Sequence, residues 1–285
     1  MKATSLRKYT DGYDIYELNE PSTGSSFRLA PERGGILIGF ASRGEEHLYL
    51  DKKTFLDPKA NIRGGNPILF PISGQLAGGE YEWNGVRYPM ANHGIARNRP
   101  WQVVKADDDG ICLSLSSDEE TRRSFPFDFE LRFTYTLNRG ILKIEQSYAN
   151  RSSASMPMYA GSHPYFAANR KNLVYETDAD RYYDYNDRLE KKYDGNPLDL
   201  GSLVESVVFL GAEKREITFS PLEGKRIRLT YGDEFKYVVL WSVAGQDFVC
   251  VEPWMARTDE LNRKQELVYV PPGEALQTGL TIEAF

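Results

Sequence analysis

Cysteine occurs twice and histidine three times in this chain of 285 residues, and those shortages bound what it can do. Cys112 and Cys250 both lie in apolar, strand-like runs, so buried free thiols in a reducing cytoplasm are the expectation, with a disulfide between them left open by sequence. No stretch approaches the 18 apolar residues of a transmembrane helix. The opening residues, MKATSLRKYTDGYDIYELNE, lack the apolar core of a signal peptide. A cytoplasmic, soluble protein without a membrane partner is expected. A basic excess is also missing: the formal net charge is -6, which argues against a nucleic-acid partner. There is no fixed-period repeat, low-complexity tract or charge block, and Gly and Pro are spread evenly, so one domain over 1–285 is expected. Disorder is excluded by 41% hydrophobic and 13% aromatic residues, enough for a sizeable core. Convincing helices are nearly absent, the best candidates being Asp51 to Leu56 and Arg257 to Arg263.

What fills the chain instead is alternation of period two. In Phe127 to Leu137, FDFELRFTYTL, every second residue is Phe, Leu or Tyr, and Asp, Glu, Arg or Thr lie between them. That is the pattern of a half-buried antiparallel strand. Asn138-Arg139-Gly140 turns it into a second strand, ILKIEQSYAN. Shorter strands are expected at Ser26 to Ala30, Gly35 to Ala41, Ile111 to Ser116, Glu216 to Phe219, Arg226 to Tyr231, Lys236 to Val243 and Asp247 to Val251. The fold class is all-β, a large antiparallel sandwich.

Four segments depart from this alternation. In SMPMYAGSHPYF (Ser155 to Phe166), Pro164 pushes His163 out of the helical region, so its imidazole stands off a strand end beside Tyr165 and Phe166. In VCVEPW (Val249 to Trp254), Glu252 ends an apolar strand and is likewise followed by proline. A carboxylate there is unfavourable unless it is paired or its raised pKa is useful. IRGGNPILF (Ile62 to Phe70) puts Arg63 beside two glycines that permit positive φ or close approach of a ligand. NHGIARNRPW (Asn92 to Trp101) offers His93, with Gly94 leaving room beside it, and the cations Arg97 and Arg99. His47, between acidic neighbours, reads as a solvated strand-end residue without a role.

These residues support some chemistries and not others. The phosphate-cradling GxxxxGK[ST] spacing and the G-x-S-x-G nucleophile elbow are missing. Zinc or iron would find suitable ligand types but no HxxxH, HxH or HxD spacing, so no metal site is expected. Glycoside hydrolysis needs a second buried acid that does not present itself. General acid–base catalysis by one imidazole and one carboxylate, in an aromatic-walled pocket suited to a sugar ring, fits what is there.

IRGG-x-P-x-x-FP, HG-x-AR, SFPFDFELRFTYTL, SHPYF, VEPW and the closing PPGE (Pro271 to Glu274) occur in an order that resembles the aldose 1-epimerase, or galactose mutarotase-like, family. The resemblance runs from about Phe27 to the C-terminus and is nearest to the branch containing hexose-6-phosphate mutarotases. It implies a β-supersandwich and cofactor-free interconversion of α- and β-anomers of a sugar or sugar phosphate. Carried onto this chain, Glu252 takes the proton from the C1 hydroxyl, His163 protonates the ring oxygen and His93 hydrogen-bonds the reacting region. Arg63, Arg97, Trp254 and Ser206 make up the substrate-binding set. The family pattern breaks at Ser206, where an aspartate is usual, with Glu205 beside it, so sugar preference can differ at that position.

Two expectations test this reading. His163 and Glu252 must both reach one pyranose, so their polar atoms should lie within roughly 8 Å of each other, with His93 and Arg63 at the same place. Activity should also be independent of metal. The rival from another class is a non-catalytic carbohydrate-binding or sugar-sensing protein on the same fold, which needs no acid–base pair.

Overall fold

A computed structural model describes residues 4–285. Its main elements are three antiparallel sheets. An N-terminal meander of five strands runs Ser5–Asp11, Tyr13–Glu20, Ser25–Ala30, Ile36–Ser42 and Glu45–Glu46. One eight-stranded sheet, here the outer sheet, is ordered Tyr175–Glu176, Glu216–Leu222, Lys225–Tyr231, Ala275–Ala284, Ile141–Asn150, Phe129–Asn138, Gly110–Ser116, Gln102–Asp107. The other, the site sheet, runs Leu189–Lys192, Arg181–Asp184, Val207–Leu210, Tyr237–Trp241, Phe248–Trp254, Gly161–Ser162, Ile68–Leu69, with Tyr165–Ala167 also paired to Phe248–Trp254.

The alternation read from the sequence is the one that buries the core. Phe129, Leu131, Phe133, Tyr135 and Leu137 point inward while Arg132 is exposed, each buried side chain contributing on the order of 1.5–3 kcal/mol. The strand starts at Phe129 rather than Phe127, and its hairpin partner Ile141–Asn150 pairs with it along its full length. Between the two large sheets, Phe166 meets Phe219 at 5.1 Å and Tyr175 meets Phe209 at 6.0 Å, ring centre to ring centre. The meander is tied to this sandwich by Glu20, whose carboxylate accepts from the backbone N–H groups of Arg139 and Gly140 and from the Thr23 hydroxyl.

Several expectations are corrected. His47 is buried rather than solvated. The Glu46 carboxylate takes the N–H groups of Phe40, His47 and Leu48, and the His47 ring packs against Phe40. Glu252 does not end its strand, which continues to Trp254. The helix Lys52–Leu56 forms on its Asp51 cap, whereas the second one is only Glu260–Arg263. A third, Glu119–Ser124, lies outside the expected helices; Asp118 and Thr121 close a reciprocal cap at its start. Cys112 and Cys250 are both free thiols. Among the described residues no helix is long and apolar enough to cross a membrane.

Candidate active site

Register explains how two residues far apart in sequence meet. Gly161 pairs with Trp254, and Tyr165 pairs with Cys250. The same antiparallel register therefore runs through two short strands separated by His163-Pro164, and it places position 163 opposite position 252. Proline cannot donate to the ladder, so the pairing breaks there. His163 Nε2 lies 3.4 Å from Glu252 Oε1, well inside the expected separation.

The break is held from outside by the Gly-rich segment. Asn66 Oδ1 accepts the His163 N–H at 3.0 Å, and the Gly65 carbonyl accepts the Tyr165 N–H at 2.8 Å. The two glycines serve backbone packing rather than a ligand. A Cβ on Gly64 would stand 2.5 Å from the Tyr49 carbonyl, and one on Gly65 would stand 2.4 Å from that of Leu37. Both also have positive φ. Asn66 lies in a segment singled out from sequence, but nothing in its spacing marked it as the residue that positions the imidazole.

Strand alternation sorts the residues around the pair. Along Phe248–Trp254, Val249 and Val251 enter the sandwich core, while Phe248, Cys250 and Trp254 belong to two smaller apolar clusters flanking Glu252 on the opposite face. Tyr165 stacks on the His163 ring at 4.7 Å and 9°, and Trp241 meets it edge-on at 6.1 Å. The Trp254 indole N–H donates to Glu252 Oε2 at 3.1 Å, so Trp254 touches the carboxylate directly.

His93 completes the group, its ring 5.2 Å from that of His163 and 5.7 Å from that of Trp254. It has φ of +63, and the following Gly94 makes room for the Phe70 carbonyl rather than for the imidazole. The Gly74 N–H donates to His93 Nδ1 at 3.0 Å, so in neutral His93 the proton sits on Nε2.

Burial dominates the electrostatics: Glu252 is 1% exposed and His163 6%. Loss of hydration pushes the Glu252 carboxyl well above the usual carboxylate range, against the Trp254 hydrogen bond and the charge of Arg97. Burial pushes His163 down to about 3, helped by the Arg97 charge. His93 is lowered for the same first reason, then by His163 and Arg97. Both shifts favour the neutral form of each group, so burial biases the pair's proton toward Glu252 in the free site.

Arg63 lies over the Trp241 ring, its guanidinium carbon 5.1 Å from the centroid. Arg97 offers a 3.5 Å contact to Asn61, and its Nε has no partner. Neither arginine has a carboxylate within ion-pair distance among the described residues. Arg97 also lines a small recess with Asn61, Ile62 and Asn98. Arg99 faces away, paired with Asp118 and Glu120. Ser206 precedes the strand Val207–Leu210, where its carbonyl accepts from Tyr185; no recorded side-chain contact joins it to His163 or Glu252.

The aldose 1-epimerase family model matches residues 28–283. The solved structure of the Slr1438 protein from Synechocystis sp. PCC 6803 superposes with a TM-score of 0.91 at 32% identity, covering 97% of this chain and 98% of that one. A galactose mutarotase-like protein from Lactobacillus casei ATCC 334 shares the fold, with a TM-score of 0.79 at 23% identity over 98% of this chain and 100% of its own. A Salmonella typhimurium protein, provisionally named glucose-6-phosphate 1-epimerase, is 34% identical over 131 residues, which is 44% of this chain and 40% of that protein.

Proposed function

The chain belongs to the aldose 1-epimerase family, and from that premise we propose that it interconverts the α- and β-anomers of a hexose or hexose 6-phosphate through His163 and Glu252. The observation that carries the proposal is the buried imidazole–carboxyl pair at 3.4 Å, which lies on an aromatic face. Opening a pyranose ring moves one proton from the C1 hydroxyl and delivers one to the ring oxygen. A pair with one proton can do both without net gain or loss.

The resemblance makes Glu252 the base and His163 the acid. Burial favours the neutral form of each group in the free site, so that assignment requires the proton to cross to His163 when sugar arrives. Polar sugar hydroxyls would replace part of the missing hydration and favour the charged arrangement. After ring opening the pair is left neutral, rotation about C1–C2 exposes the other face of the aldehyde, and the two transfers reverse. His93, with its Nε2–H, would donate to a sugar oxygen, and Trp254 keeps Glu252 aimed.

The phosphate-bearing substrate is supported by Arg63 and Arg97, two guanidinium groups with no ion-paired carboxylate among the described residues. The Salmonella relative's name points the same way. Polarimetry or exchange NMR on a panel of free and 6-phosphorylated hexoses tests the function. Absence of accelerated anomerisation on every sugar, with binding retained, would favour the sugar-binding alternative.

A further inference from the structure

Besides their place in the acid–base reading, His163 and Glu252 share their face with a thiol that this chemistry does not use. Cys250 lies two residues before Glu252 on the same face of the strand, opposite Tyr165. One donor atom each from His163, Cys250 and Glu252 all fall within 4.8 Å of one another. The Cys250 side chain is fully buried, and His163 Nδ1 has no hydrogen-bond partner.

We infer that these three residues form a binding site for a thiophilic divalent cation, Zn²⁺ foremost, and that occupancy blocks the proton relay. A nitrogen, a sulfur and a carboxylate oxygen are the donor set of zinc and cobalt, whereas magnesium and calcium demand oxygen. Metal–ligand bonds of about 2.0–2.3 Å put neighbouring donors on a tetrahedral ion roughly 3.3–3.7 Å apart. The imidazole–carboxylate pair already has that separation, so mainly the thiol must move. The thiolate and carboxylate together neutralise the dication, which makes its burial tolerable despite nearby Arg97. Binding releases the thiol and carboxyl protons to solvent, and no redox step is involved. A bound ion occupies the carboxylate and imidazole lone pairs that the sugar's protons need. The inhibitory half of this inference rests on the acid–base reading above; the binding half does not.

The experiment separates the two. Co²⁺ alone is titrated into the wild-type protein, and the near-ultraviolet thiolate-to-cobalt charge-transfer band is recorded, followed by displacement with Zn²⁺. The band should appear, persist in Cys112→Ser and vanish in Cys250→Ser and Cys250→Ala. In parallel, Zn²⁺ should inhibit anomerisation. Cys250→Ser should retain the basal rate and require a higher Zn²⁺ concentration, by at least about 10–100-fold, which is what loss of an outer-shell partner alone can cost. Thermal melts check that the variants fold, and the wild-type spectrum does not depend on them. Saturating Co²⁺ without a thiolate band, or a band that follows Cys112, overturns the site. A Cys250-dependent band with unchanged activity upholds the site and overturns the catalytic role of the pair.

Discussion

A carboxyl group buried inside an apolar face is costly to the fold, and Glu252 is such a group. Its raised pKa means that its contribution to stability is fully present below the ordinary carboxylate value of 4.5 and is lost as pH rises toward the folded value. Glu252→Gln keeps the shape and the Trp254 partner without titrating. The variant should therefore melt higher than wild type, by a margin that grows as pH rises above the ordinary carboxylate value, while kcat falls about 10²–10⁴-fold. A melting temperature that drops at all pH values would show the carboxyl to be structural. His163 has the opposite sign: its contribution is present above 6.5 and is lost as pH falls toward about 3. The same two groups set the rate profile, because only a pair with one proton works. Activity should hold across neutrality, falling on the acid side as His163 becomes charged and on the alkaline side as Glu252 loses its proton. An acid limb at the ordinary imidazole value would contradict the burial argument. His163→Asn should lower kcat by a similar 10²–10⁴-fold, read by the same polarimetric assay.

At the scale of elements, the broken strand around His163-Pro164 is the device on which the site depends, and half of it was legible in advance. Proline after His163 and after Glu252 marked both residues as extended and exceptional. What no local pattern could give was the pairing of the two segments, since register is decided by which strands neighbour one another and sequence alternation is silent on that. The glycines of the Ile62 to Phe70 segment permit positive φ or close approach of a ligand, and both take positive φ. They are room for the backbones of Tyr49 and Leu37, because a chain crossing two others closely leaves the same mark in sequence as one approaching a ligand. His47 was misread for a related reason: Glu46 turns its carboxylate onto the backbone and so frees the neighbouring imidazole to go inward. The hairpin Phe129–Asn150 was the easiest element, its period-two pattern being long and its turn marked by Gly140. Even there the lock on the turn comes from elsewhere, from Glu20 of the N-terminal meander. Glu20→Ala should cost about 2–3 kcal/mol, as expected for losing charge-assisted bonds to buried N–H groups. Since the Glu20 pKa is lowered, that contribution is present above the ordinary carboxylate value and disappears as pH falls. Urea denaturation at neutral and acid pH should show wild type converging on the variant, and a constant gap would refute the clamp.

The whole molecule carries a formal charge of -6, yet among the described residues neither Arg63 nor Arg97 makes an ion pair, although the charge of Arg97 and that of buried Glu252 act on each other. A protein with more acids than bases can easily pair its cations, as it does for Arg99. Two without an ion pair among the described residues, beside a buried reaction centre, are more naturally explained by a ligand that brings its own negative charge. They also repel each other: each lowers the tendency of its surroundings to hold positive charge, and Arg97 is itself lowered by burial first and partly by Arg63. Stability should therefore gain nothing from Arg97, and Arg97→Ala should melt at or above the wild-type temperature, which separates a binding role from a structural one. Guanidinium forks engage phosphate oxygens through charge-assisted bonds, each worth about 1.5–3 kcal/mol. If the substrate is a hexose 6-phosphate, Arg63→Ala and Arg97→Ala should each lower kcat/KM for glucose 6-phosphate by about 10–100-fold. The rate on free glucose should change far less. Raising the ionic strength from about 0.01 to 1 M shortens the Debye length from about 30 to 3 Å and should shrink the preference in wild type more than in either variant. Equal kcat/KM on glucose and glucose 6-phosphate in the wild-type protein would remove the phosphate from the proposal and leave the two arginines to sugar hydroxyls.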